Sequence, residues 1–185
     1  MKSSYWFIKN ILSRKEVNEI NSFIENNYEF IQPREDGSLT PDGKFKKNFE
    51  PKSISWGKIK SKLENALDKI LTVNDYDIGC DLFNIHDTDH LLLNEYTTKK
   101  KYDWHIDGSG SEIFHTKLTV LINMSTEPYS GGKFELMMNN QQPVPELDKT
   151  GNAVIFRSHT PHRVTPVTKG TRKSLTFFLS GPRWR

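Results

Sequence analysis

The segment KYDWHIDGSG, residues 101–110, places His105 and Asp107 two positions apart. On an extended strand, residues i and i+2 share a face, so one face would present an imidazole nitrogen and a carboxylate oxygen side by side. That pair is the local part of a 2-His-1-carboxylate site, in which two imidazoles and one carboxylate occupy one side of a metal ion and leave the other positions open. His-X-Asp alone is common, and its plainer reading is a turn that happens to hold both residues. The metal reading needs a second histidine from a distant strand.

The chain has six histidines, and the stretch GNAVIFRSHTPHRVTPVTKGTRKSLTFFLSG supplies the candidate. His162 follows the apolar run AVIF and a turn, and it precedes another strand. A sheet folding back on itself would bring such a position to face the first pair. His159 competes, but it lies inside the turn SHTP, where a side chain meets water. Ten residues after His162, Arg172 begins a strand whose alternation is unusual: Arg172, Ser174 and Thr176 on one face, Leu175, Phe177 and Leu179 on the other. A polar face turned inward with an arginine on it calls for an anion, and a carboxylate matches the guanidinium fork. The plainer alternative is an edge arginine reaching out to water, with Lys173 as its outward neighbour.

The elements that would position these residues divide the chain in two. Ser13 followed by Glu16 has the spacing of a capping box, and Val17, Ile20 and Phe23/Ile24 recur at helical spacing up to Asn26-Asn27. A second helix is expected from Ser55-Trp56, with Ile59, Leu63, Ala66/Leu67 and Ile70/Leu71 as its apolar stripe. Residues 31–52 between them are polar, with two Asp-Gly pairs, and read either as a solvated excursion or small hairpin, or as a lid over substrate. Beyond about residue 80 the period changes to two. Strands are expected at 91–96, 117–124, 132–138, 153–156, 162–167 and 172–179, divided by Gly- and Pro-rich turns. The expectation is an all-β core with flanking helices, a sandwich or barrel whose one sheet is covered by the N-terminal helices. A single domain over 1–185 is expected, helical to about 75 and β from about 78 to 182.

Three stretches, NEYTTKKKYDWHID, LTVLINMSTEPYSGGKFEL and GNAVIFRSHTPHRVTPVTKGTRKSLTFFLSGP, occur in the order found in the Fe(II)/2-oxoglutarate-dependent dioxygenases. The sequence resembles the prolyl 4-hydroxylase-like branch of that family over roughly residues 90–182, half the chain. The resemblance implies a double-stranded β-helix (jelly roll). It implies Fe(II) held by His105, Asp107 and His162, and 2-oxoglutarate and O2 as cosubstrates, with ascorbate as a supporting reductant. It implies that Arg172 holds the distal carboxylate of 2-oxoglutarate and that Tyr96 hydrogen-bonds it, Ser174 serving the same cradle. The collagen-type enzymes carry a lysine where Arg172 stands, a departure shared with other branches. Related halogenases lack the carboxylate ligand, so Asp107 implies hydroxylation.

For substrate, Tyr102, Trp104 and Tyr129 could line an aromatic groove, or pack the sandwich, and Arg157 is a candidate for a substrate carboxylate; Arg163 is expected to face water. The resemblance implies a prolyl residue of a peptide or protein, with succinate and CO2 released. A free amino acid or other small molecule is the alternative, and a non-catalytic jelly-roll binding module the more distant one. The arginine and asparagine signatures of nucleic-acid demethylases are missing after His162. The net charge of +3 neither demands nor excludes nucleic acid. No apolar run is long enough for a membrane span, the N-terminus lacks a signal-peptide core, and the single cysteine, Cys80, precludes an internal disulfide. These features fit a cytoplasmic protein of a bacterium or of a phage-infected cell.

Overall fold

The computed structural model describes residues 5–30, 47–49, 51–107 and 115–183. The lid expected within residues 31–52 therefore falls largely outside the described residues. In chain order the elements are β1 (Tyr5–Ile8), α1 (Arg14–Asn27), β2 (Glu29–Phe30), β3 (Lys52–Ser55), α2 (Trp56–Val73), β4 (His90–Tyr96), β5 (Tyr102–His105), β6 (Thr116–Asn123), β7 (Ser130–Gly131), β8 (Phe134–Met137), β9 (Gln141–Pro143), β10 (Ala153–Arg157), β11 (His162–Val164), β12 (Val167–Lys169) and β13 (Arg172–Ser180). A π-helical turn, Asn74–Ile78, extends α2, and a 3-10 turn, Pro145–Asp148, precedes β10.

Both helices form where the apolar spacing places them. The Ser13 side chain accepts from the Glu16 N–H (3.2 Å) while the Glu16 carboxylate accepts from the Ser13 N–H (2.7 Å), satisfying two amides that no helical carbonyl reaches. Val17, Ile20 and Ile24 of α1, and Ile59, Leu63, Ala66 and Ile70 of α2, are buried. They join Leu91, Leu93, Val120, Ile122, Ile155, Leu175, Phe177 and Leu179 in one core. Each fully buried aliphatic side chain contributes roughly 1.5–3 kcal/mol, so this layer anchors the outer face of the sheet.

Among the described residues that sheet has seven strands in the order β1-β10-β6-β13-β4-β3-β2, and it faces a second sheet, β5-β11-β8-β9; β12 and β7 form a separate pair. All pairings among these described strands are antiparallel. A second core lies between the sheets, where Tyr96, Leu121, Val154 and Phe156 meet Phe134, Leu136 and Val164. This is the expected all-β core with helices on one sheet.

Two expected strands are broken. The single strand expected over 162–167 divides into β11 and β12, which belong to different sheets. The break falls at Pro166, which has no N–H to give a ladder and whose carbonyl instead accepts from the Gly132 N–H (3.0 Å). The strand expected over 132–138 starts two residues late for the matching reason. Gly131 and Gly132 have φ of +73° and +59°, and a Cβ on Gly131 would lie 2.4 Å from the Pro166 oxygen.

Candidate metal and cosubstrate site

β5 and β11 pair with a mismatch. His105 faces His162, and Tyr102 faces Val164, so three steps along β5 match two along β11. That is a β-bulge at Asp103–Trp104. The Asp103 carboxylate accepts from the Trp104 N–H (2.9 Å) and its carbonyl accepts from His105 Nδ1 (2.7 Å). Strict alternation would send Tyr102 and His105 to opposite faces. The bulge turns both inward, and the Tyr102 ring stacks on the His105 imidazole with centroids 3.5 Å apart and planes at 8°.

Asp107 lies two residues past the end of β5, not on an extended strand as the spacing suggested. Tertiary contacts hold it. Its N–H donates to the Ser158 carbonyl (2.9 Å), and the Thr119 hydroxyl donates to its Oδ2 (2.6 Å). His162 is 4% exposed and its Nδ1 lies 2.9 Å from the Thr160 carbonyl. A carbonyl only accepts, so both Nδ1 atoms carry protons, and a neutral ring then offers an unprotonated Nε2. Both Nε2 atoms point at the carboxylate: His105 Nε2 is 3.7 Å from Asp107 Oδ1, and His162 Nε2 is 3.4 Å from Oδ2. One donor atom from each of the three residues lies within 4.8 Å of the others. Two neutral imidazole nitrogens and one carboxylate oxygen suit a divalent first-row metal. Burial pushes the Asp107 carboxyl above the usual carboxylate range, against the lowering pull of His162 and of the Thr119 hydroxyl. His159, the competitor, is exposed on its turn.

Beside the triad, β13 and β4 align Arg172 with Tyr96 and Ser174 with Asn94. Arg172 is 1% exposed, on a central strand, which removes the reading of an edge arginine in water. Its Nη1 donates to Ser174 Oγ (3.1 Å), and its guanidinium carbon lies 5.2 Å from the Tyr96 ring centre. Among the described residues no carboxylate pairs with it, whereas Lys173 next to it points outward to Glu95 and Glu25. A cation buried with hydrogen bonds and no counter-charge is costly unless an anion joins it. Burial, outweighing the lowering pull of the Arg172 charge, pushes the Tyr96 phenol up to about 12, so Tyr96 stays a neutral donor. Burial likewise raises the Tyr102 phenol.

Tyr96, Tyr102, His105, Asp107, His162 and Ser174 line one cavity of about 80 Å3. That is far below the roughly 300–1,000 Å3 of a pocket for a drug-sized ligand, and it suits a small, tightly held molecule. Asn94 and Thr176 complete its polar floor, joined by a 2.9 Å hydrogen bond.

The sequence profile of the 2OG-Fe(II) oxygenase superfamily matches residues 91–180, from β4 to the last residue of β13. The chain belongs to that superfamily. Relatives and folds agree. A PKHD-type hydroxylase of Gloeothece citriformis is 26% identical over 169 residues, covering 89% of this chain and 73% of the relative. Other PKHD-type hydroxylases match across about two fifths of their length. The crystal structure of a Pseudomonas putida prolyl-4-hydroxylase superposes with a TM-score of 0.69 at 16% identity, over 97% of this chain and 93% of that one. A Trichoplax adhaerens prolyl hydroxylase, in complex with a peptide fragment of hypoxia inducible factor, gives 0.68 at 16% identity over 96% and 83%. The fold of this oxygenase is thus the jelly roll of the prolyl 4-hydroxylase-like enzymes. Membership makes it an oxidoreductase and implies Fe(II), 2-oxoglutarate and O2.

Three of the substrate candidates of this oxygenase sit elsewhere. Trp104 lies on the outer face, opposite its neighbour His105, where the Arg163 guanidinium carbon is 4.8 Å from its ring centre. Arg163 also pairs with Glu135 (2.6 Å), so it does not simply face water. Arg157 extends away from the cavity and donates to Cys80 Sγ (3.6 Å). Tyr129 lies in a separate surface depression with Arg14 and Lys133. Of the aromatic candidates only Tyr102 lines the cavity. Phe49 was not foreseen: its ring packs 4.4 Å from Tyr96 and 6.1 Å from Tyr102. Thr119 was also missed. Its signal was a lone hydroxyl inside the apolar run Leu118–Ile122.

Proposed function

We propose that this oxygenase hydroxylates an unactivated C–H bond, on a prolyl residue of a peptide or protein, and releases succinate and CO2. The observation that carries the reading is one cavity lined by the convergent His105, Asp107 and His162 donors and by Ser174 and Tyr96, with the buried Arg172 hydrogen-bonded to that Ser174 and without a carboxylate partner among the described residues. In this reading His105, Asp107 and His162 hold Fe(II). Arg172 and Ser174 hold a carboxylate of 2-oxoglutarate, and Tyr96 orients it with its neutral phenol. Iron and 2-oxoglutarate supply the oxidation: O2 places one atom on the substrate carbon and the other in succinate as 2-oxoglutarate loses CO2.

The residues of the chain do the positioning. Tyr102 backs the His105 ring by stacking, and the two carbonyls at Asp103 and Thr160 fix the imidazole tautomers. Phe134 and Phe156, 5.7 and 4.8 Å from His162, keep water from its far side. The prolyl assignment is supported by the likeness to prolyl hydroxylase folds, one of them in complex with a peptide.

The test is an anaerobic titration with Fe(II) and 2-oxoglutarate followed by visible absorption. Chelation of 2-oxoglutarate to the iron is expected to give a weak charge-transfer band, absent in His162→Ala. A wild-type protein that binds iron without the band would refute the cosubstrate assignment. Succinate release in the presence of ascorbate, screened against proline-containing peptides, then tests the substrate; turnover with free amino acids but no peptide would overturn the prolyl reading.

A further inference from the structure

Asp107 needs more than its backbone to aim its carboxylate, because β5 ends two residues before it. The aim comes from β6. Thr119 is fully buried in a central strand, between Phe156 of β10 and Phe178 of β13 in register. A valine would fill the same volume in that apolar run and suit a strand as well. The hydroxyl that replaces one methyl sits 2.6 Å from Asp107 Oδ2 and 3.0 Å from Ser158 Oγ.

Proton count fixes the direction of this relay. An ionised carboxylate only accepts, and Thr119 has one hydroxyl proton, which therefore goes to Asp107. Ser158, 1% exposed, must then donate its own proton to Thr119 Oγ1. Ser158 also accepts the Asp107 N–H through its carbonyl, and its N–H donates to the Lys117 carbonyl (3.0 Å). Both ends of Asp107, amide and carboxylate, are thus tied to the same short stretch of β6 and the turn after β10.

We propose that Thr119 is a positioning residue, and that the Ser158–Thr119 hydroxyl relay holds the Asp107 carboxylate toward His105 and His162 before a metal ion arrives. The inference rests on the metal assignment of those three residues. Without the relay the carboxylate is free to rotate away, and the ion must order it on binding. Loss of such a supporting hydrogen bond typically weakens metal binding by roughly 10–100-fold.

Mn(II), an air-stable paramagnetic ion suited to oxygen and nitrogen ligands, is the probe, titrated into the apo-protein and followed by electron paramagnetic resonance. Wild type is expected to bind one Mn(II), and His162→Ala to lose it. Thr119→Val should weaken Mn(II) binding by roughly 10–100-fold with unchanged apo melting, and Thr119→Ser should restore most of it. Ser158→Ala keeps the backbone carbonyl and should weaken binding less, and adding it to Thr119→Val should cost nothing more, because both act through one hydroxyl. Wild-type affinity in Thr119→Val, or full additivity of the two changes, would overturn the proposal while leaving the metal site standing. If Thr119→Val fails to fold, Ser158→Ala alone decides, and wild-type affinity there refutes the relay. Wild type without Mn(II) binding, or His162→Ala that retains it, would remove the metal assignment and this inference with it.

Discussion

Replacing Arg172 with methionine should leave one property nearly unchanged and sharply reduce another. In the free protein Arg172 is 1% exposed, and among the described residues no carboxylate pairs with it. Its compensation is the Ser174 hydroxyl at 3.1 Å and the face of the Tyr96 ring at 5.2 Å. Replacing buried charges by apolar side chains of similar volume often stabilises by about 1–4 kcal/mol. The lost hydrogen bond from a charged donor gives back about 1.5–3 kcal/mol of that range. The centres of the two ranges cancel to within about 1 kcal/mol, so the melting temperature of the apo-protein should stay within roughly 2–4 °C of wild type for a chain of this size. For 2-oxoglutarate, in the proposed arrangement, the same change removes the charged partner of its carboxylate, an expected loss of about 2–5 kcal/mol, or about 30- to 5,000-fold in Kd. Arg172→Lys keeps the charge but loses the planar fork and the ring contact, and should fall between. Melting of the apo-protein, paired with calorimetric titration of 2-oxoglutarate onto the Mn(II) form, measures both. Methionine that lowers apo melting by several degrees and leaves 2-oxoglutarate affinity intact would show that Arg172 is a structural cation, and the reasoning from its missing counter-charge would be wrong.

Two further outcomes follow from the packing around the same strands. Gly132→Ala would place a Cβ 2.9 Å from Val167 Cγ2 and 3.0 Å from Arg172 Cδ at a φ of +59°, so both melting temperature and 2-oxoglutarate affinity should fall; Gly79→Ala, at φ +71° with nothing within 4 Å, should cost about 1–2 kcal/mol of stability and no affinity. The Glu95 carboxyl is raised by burial but lowered more by Lys173 and Lys52, for a net shift below its ordinary value. A carboxyl lowered on folding contributes stability that is complete above its unfolded value of about 4.3 and lost as pH falls through the lower folded value. Glu95→Gln should therefore reduce stability at neutral pH and flatten its decline below about pH 4.3, which urea unfolding across pH 3–7 would read; an unaltered slope would remove the ion pairs from the acid response.

Much of this protein was legible in its sequence wherever the information is local. The Ser13–Glu16 box and the aliphatic spacing of α1 and α2 determine helices, since capping and a one-sided stripe need only neighbours along the chain. The alternation from Arg172 to Leu179 determines which side of β13 meets the helices and which meets the cavity. His105, Asp107, His162 and Arg172 stood out by residue type and order. The sequence did not show how they come together. Spacing placed Asp107 on an extended strand beside His105, whereas the ladder ends at His105 and the carboxylate is aimed by a hydroxyl on β6. Alternation counted from His105 would have put Tyr102 on the outer face, away from the cavity. The mismatch of β5 against β11 reverses that, and it exists only because those two strands are paired. The short strands β1 and β3 carry too few residues to show a period, and they become strands by adding to β10 and β4. A period along the chain reports a side chain's relation to its own backbone. Bulges, edge strands and the support of a carboxylate are relations between segments far apart in sequence, and they are decided when the sheets pair.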